Sequence, residues 1–198
     1  MEIIAHRRNQ LAELDETPKN YGVEVDIRSF GPDLIIHHDP YVTGTRFEEW
    51  IERYQHGTLI LNVKEEGLEE RLLKLMQRRG IDRFFFLDQS FPFLIRTART
   101  GERRCAVRVS EFESIETALA VATIIDWVWV DCFTKFPLSA AEIRKLKDLG
   151  LKLCLVSPEL HGRPPEASVG AMRQEIADFE ELFEAVCTKR PDLWLQSR

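Results

Sequence analysis

Three short polar clusters in the first forty residues combine residue types that can do chemistry together: His6-Arg7-Arg8, Glu24 and Asp26, and His37-His38-Asp39. A fourth, Asn62 and Lys64, follows. Glu24 and Asp26 are two apart, so on a strand both side chains point to one face and can hold one hard cation through oxygen. His6 and His38 end different strands, and placed on either side of such a cation they would serve as general acid and general base. Arg7, Lys64 and Arg108 supply fixed positive charge for an anion's oxygens.

Each cluster ends an apolar, β-prone run, and this is what must position it. Glu2–Ala5 leads to His6, Tyr21–Ile27 carries Glu24 and Asp26, and Thr58–Val63 carries Asn62. Phe30-Gly31-Pro32-Asp33 is a strong turn signal, so Leu34–His38 is expected to return as a hairpin arm that brings His38 back toward Glu24 and Asp26. The two histidines next to this core are read otherwise: His37 faces away from His38, and His56 sits in a turn.

His6-Arg7, Glu24-x-Asp26 and His38-Asp39, with the turn before the last, resemble the N-terminal signature of the glycerophosphodiester phosphodiesterase family, within the phosphatidylinositol-specific phospholipase C-like superfamily. The resemblance implies a TIM barrel, a divalent metal (Mg2+ or Ca2+) and hydrolysis of a phosphodiester with His6 and His38 as acid and base. It implies Glu24 and Asp26 as metal ligands, with Asp39 supporting the hairpin or orienting a histidine. At the third ligand position the family carries an acidic residue, then one residue, then lysine; here the segment reads Asn62-Val63-Lys64, with one negative charge fewer. The metal-free phospholipase branch, in which a basic residue takes the cation's place, is therefore an alternative, as is a non-catalytic barrel that binds a phosphate or phosphosugar.

Further along, apolar runs alternate with helical periodicity. Strands are expected at Arg83–Leu87, Cys105–Val109, Trp127–Val130, Leu151–Val156 and Asp192–Leu195, the last ending in Gln196. Helices are expected at Arg46–Tyr54, Leu68–Arg79, Phe91–Arg99, Ile115–Thr123, Ser139–Leu149 and Asp178–Val186. With the first three strands this makes eight β/α repeats, so the expected fold is α/β, a compact TIM (β/α)8 barrel forming one domain over 1–198. Asp88 and Asp131 follow strands and could replace the charge missing at Asn62, although an aspartate there is more often a helix cap or a turn residue. His161, beside Gly162 and two prolines, marks an exposed loop, and His161–Gly170 is the loosest stretch.

Composition narrows the classes. The chain has 198 residues, 44% hydrophobic, with a net charge of −6, which suits one globular domain and disfavours an electrostatic footprint for nucleic acid or an anionic membrane. Four scattered cysteines without a C-x-x-C pair fit a reduced, cytoplasmic protein. Met1 leads straight into the first strand and no apolar run reaches membrane-span length. The expected partner is a small phosphodiester, with a homodimer plausible if pared-down helices leave strand surface exposed.

Overall fold

The computed structural model describes residues 1–195, which fall into two compact α/β units, Ala5–Cys105 and Met1–Ile4 with the segment from Ala106 onward. Among the described residues no helix is long and apolar enough to cross a membrane.

In the first unit, β2 (Gly22–Phe30), β5 (Leu59–Val63) and β6 (Phe84–Leu87) are parallel neighbours, with Asp26 beside Asn62 and Asn62 beside Leu87. The runs Val23–Ile27, Leu59–Val63 and Phe84–Leu87 are buried throughout, as expected for strands covered on both faces. β2 turns back through Gly31 into β3 (Asp33–Ile36), antiparallel with Ile27 opposite Ile36, and the short β4 (Thr45–Arg46) adds to that edge. The hairpin is thus formed as its turn residues predict. Gly44 presses against it: a Cβ there would lie 2.3 Å from the Ile36 carbonyl oxygen, so only glycine lets the chain pass.

The helices of this unit are α1 (Leu11–Glu16), α2 (Phe47–Ile51), α3 (Glu69–Arg79) and α4 (Phe91–Arg99). α3 shows why the pattern was readable. Leu72, Leu75 and Met76 are buried at helical spacing, Glu69 and Glu70 complement the positive end of the helix dipole, and Arg78 and Arg79 the negative end. Gly80, at φ 64°, closes it in the left-handed conformation.

In the second unit, β7 (Ala106–Val109), β8 (Trp127–Val130), β9 (Lys152–Val156) and β10 (Ala185–Thr188) form a parallel sheet in that order. The N–H of Glu2, in β1 (Glu2–Ala5), donates to the Glu184 carbonyl just before β10. Helices α5 (Ile115–Val121), α6 (Ala140–Asp148), α7 (Pro165–Glu175) and α8 (Pro191–Trp194) complete it. Trp127 and Trp129 are core residues, and all four cysteines are buried and free.

The C-terminal quarter differs from the sequence reading in three places. The last strand is Ala185–Thr188, not Asp192–Leu195. Glu180, Glu181 and Glu184 gave that stretch a helical look, but only a 3-10 turn forms at Glu180–Leu182 and the β-prone run after it pairs with β9. Asp192–Trp194 is helical, within α8, because Pro191, at the first helical position, has no N–H to lose there, and Leu195 caps that helix; Gln196 lies outside the described residues. Pro165 does the same for α7, converting much of the expected loose stretch into helix.

Candidate active site

The first unit brings most of the expected residues together. Glu24 and Asp26 are fully buried, and donors surround them. Glu24 Oε1 accepts from Asn62 Nδ2 at 2.8 Å and Oε2 from the backbone N–H of Arg7 at 2.8 Å. His6 Nε2 stands 3.8 Å from the same Oε2. Asp26 Oδ2 accepts from Asn9 Nδ2 at 2.9 Å and lies 3.3 Å from Arg7 Nε, while Lys64 Nζ is 3.4 Å from Oδ1. Lys64 also reaches Asp88 Oδ2 at 3.0 Å.

Backbone strain marks the same place. Arg7 and Asp88 hold φ of 51° and 59°, a left-handed conformation that side chains with a Cβ adopt at a cost. At Arg7 this turns the N–H onto Glu24, and the Trp50 indole secures the loop by donating to the Arg8 carbonyl at 2.9 Å.

His38 ends the hairpin, 45% exposed at its side chain, with Nδ1 2.8 Å from Asp39 Oδ1. Its carbonyl accepts from Arg28 Nε at 3.0 Å, and Arg28 also donates to the Lys64 carbonyl, tying the hairpin to the end of β5. The His37 N–H donates to the Asp26 carbonyl, which draws this end of the hairpin to the carboxylates. Asp39 sits below the usual carboxylate range, held there by its hydrogen bond to His38 and also by the charges of His38, His37 and Arg7. His37 takes the structural part expected of it, accepting the Asp39 N–H. A cavity of about 290 Å³ opens against Lys64 and Asp88, lined also by Glu65, Glu66, Gln89 and Ser90.

The electrostatics show a shortage of positive charge. Burial, then the neighbouring Asp26 charge, push the Glu24 carboxyl up to about 7 against the hydrogen bonds from Asn62 and Arg7 and the charge of Lys64. Fully ionised, Glu24, Asp26 and Asp88 would set three negative charges against the two positive ones of Arg7 and Lys64, and the raised Glu24 value is the response to that imbalance. The Asn62 carbonyl oxygen is buried without a hydrogen-bond donor among the described residues. Two carboxylates, an unused amide oxygen and a charge deficit fit a hard divalent cation.

Two residues of this site went unnoticed in the sequence. Asn9 bonds Asp26 twice, donating from Nδ2 and accepting the Asp26 N–H at 3.1 Å; an asparagine three residues after His6 in a polar loop gives no signal of that. Arg28 lies one residue past the strand run on which attention fell. Asp88 binds Lys64 rather than capping α4.

Arg108 belongs to the second unit, where its guanidinium lies 3.3 Å from Asp131 Oδ2 and 3.9 Å from Glu113 Oε2. His161 is not simply an exposed loop residue: Nε2 is 2.5 Å from Asp131 Oδ1 and the side chain is 22% exposed. Glycine and proline around it signalled a turn but not what the turn presents.

No family model matches the chain, and no curated protein matches it significantly. Solved structures do. A glycerophosphodiester phosphodiesterase from Agrobacterium tumefaciens superposes with a TM-score of 0.69 at 14% identity, over 98% of this chain and 98% of that one. A glycerophosphoryl diester phosphodiesterase from Parabacteroides distasonis gives a TM-score of 0.63 at 15% identity, over 96% and 83%. The chain therefore has the fold of these phosphodiesterases, and the resemblance seen in its first forty residues is borne out at that level.

Proposed function

We propose that the chain is a phosphodiester hydrolase acting on a small glycerophosphodiester-like molecule, and that its parallel strands close into the (β/α)8 barrel expected from the sequence. The observation that carries the activity is the juxtaposition of His6, Arg7 and Lys64 around the buried pair Glu24 and Asp26. Arg7 and Lys64 would hold the phosphoryl oxygens as fixed cations. His6 and His38 would share the proton transfers, one taking a proton from water or a neighbouring substrate hydroxyl, the other giving one to the leaving alkoxide. Asp39, bonded to His38 Nδ1, would keep that ring's other nitrogen turned to the substrate.

Mg2+ or Ca2+ would be held by Glu24, Asp26 and Asn62, where it would supply charge to offset the phosphoryl oxygens. The rest of the site binds, orients and moves protons. A second reading, hydrolysis without metal, is favoured by one observation: Lys64 already places an ammonium against Asp26.

Hydrolysis of a panel of diesters, with and without chelator, tests both. Turnover abolished by chelator and restored by Mg2+ or Ca2+ supports the metal reading; turnover indifferent to chelator supports the second. No turnover on any diester with any of these metals would overturn the proposal.

A further inference from the structure

β2 runs on past Asp26, and alternation along it puts Arg28 on the face that carries Glu24 and Asp26. The Arg28 side chain is 15% exposed and bridges two segments of the first unit. Nε donates to the His38 carbonyl at 3.0 Å and Nη1 to the Lys64 carbonyl at 3.2 Å. Both acceptors are main chain, so the guanidinium fixes where two site side chains begin, and its charge strengthens both bonds. Glu65 backs it: Oε1 accepts the Ser29 N–H at 2.6 Å, which leaves Oε2 3.9 Å from Arg28 Nη1.

The two ends of this bridge do not depend on it equally. Lys64 is held in other ways, its N–H donating to the Ile27 carbonyl at 3.0 Å and its ammonium set between Asp26 and Asp88. His38 is not. β3 ends at Ile36, and among the described residues the bond from Arg28 is the one hydrogen bond on the His38 main chain. The His38 ring bonds only Asp39, and Asp39 bonds only His37 and His38, so the three residues hold one another without holding to the body of the unit. Two hydrogen bonds tie this turn to β2: His37 N–H to the Asp26 carbonyl, and Arg28 to the His38 carbonyl.

We propose that Arg28 is a positioning residue that acts through His38, anchoring the main chain from which the imidazole reaches the substrate; the role rests on the phosphodiesterase reading given above. Proton transfer needs the ring at hydrogen-bond distance from the reacting oxygen, and a displacement of about 1 Å costs on the order of 10²-fold. A fork with two separated donors can bridge two carbonyls, whereas a lysine ammonium at the same place is a single point.

The test is Arg28→Lys on the full chain, made in the wild type and in His38→Ala and assayed on a diester that the wild type turns over. In the wild type kcat should fall roughly 10–100-fold with KM within about twofold, because Arg7 and Lys64 still hold the phosphoryl group. In His38→Ala the same substitution should cost less than about threefold, since no imidazole is left to misplace. Histidine 15N NMR on the same proteins should show the His38 ring, identified by its loss in His38→Ala, moved by Arg28→Lys while His56 stays in place. Should Arg28→Lys not fold, Arg28→Gln replaces it with the same expectations. The inference fails if the substitution costs as much without His38 as with it, or if the His38 ring does not move. A wild type that turns over no diester defeats the phosphodiesterase reading and this role together, whereas wild-type turnover with an unmoved His38 ring defeats the role alone.

Discussion

Lys64 Nζ stands 3.4 Å from Asp26 Oδ1 and 3.0 Å from Asp88 Oδ2, so one ammonium serves a fully buried carboxylate and a half-buried one. Lys64→Met would remove that charge from both. The expected result is a fall in kcat/KM of roughly 10²–10³-fold, the scale of losing one preorganised charge at a reacting centre. Steady-state kinetics on a diester substrate would show it, with circular dichroism confirming that the variant is folded.

Asn62 donates to Glu24 and leaves its own carbonyl oxygen unused. Asn62→Asp exchanges that amide for a third carboxylate. Calorimetric affinity for Mg2+ or Ca2+ should rise about tenfold or more, since ligand charge sets affinity at oxygen sites. The metal-free variant should melt below the wild type, because like charges in a buried cluster repel. Unchanged affinity would remove Asn62 from the ligand set.

Asn9 and Asp26 exchange two hydrogen bonds between a loop and a buried strand. Asn9→Ala leaves a buried carboxylate oxygen and a backbone N–H short of partners, at about 1–3 kcal/mol. Thermal unfolding should record a drop of roughly 5 °C, together with reduced activity as the Arg7 loop loosens.

Glu111 provides the pH test. Burial opposes its ionisation, but the N–H groups of Lys135 and Thr134 and the Thr134 hydroxyl prevail and hold the carboxyl down to about 2, from an ordinary 4.5. A carboxylate whose folded value is depressed contributes its stability in full above the unfolded value and loses it as pH falls toward the folded one. Glu111→Gln should therefore melt below the wild type at pH 7, by about 1 kcal/mol once solvent screening of this partly exposed group is allowed for. That difference should narrow as the pH is lowered from 4.5 toward 2.

How much of this was legible in the sequence follows from what each signal encodes. Apolar periodicity gave the parallel strands through β9 and the hairpin, because burial on both faces and turn chemistry are local properties. It failed at Ala185–Thr188, where a four-residue strand follows three glutamates, and at Pro191 and Pro165, where proline begins a helix instead of breaking one. In the site, Glu24, Asp26, Lys64 and His6 were readable because strand ends and a spacing of two fix where side chains point. Asn9, Arg28 and the Asp131–His161 pair were not, because loop geometry brings them into contact across 17, 10 and 30 residues of chain.

The most direct test of the central claim is hydrolysis of bis(p-nitrophenyl) phosphate by the wild type, His6→Ala and His38→Ala, each with Mg2+, with Ca2+ and with chelator. The account predicts turnover by the wild type under at least one condition and a loss of about 10²-fold or more in each variant. Wild-type turnover that survives both substitutions would contradict the assignment of this site, and a wild type inactive under every condition and on a wider diester panel would contradict the activity itself.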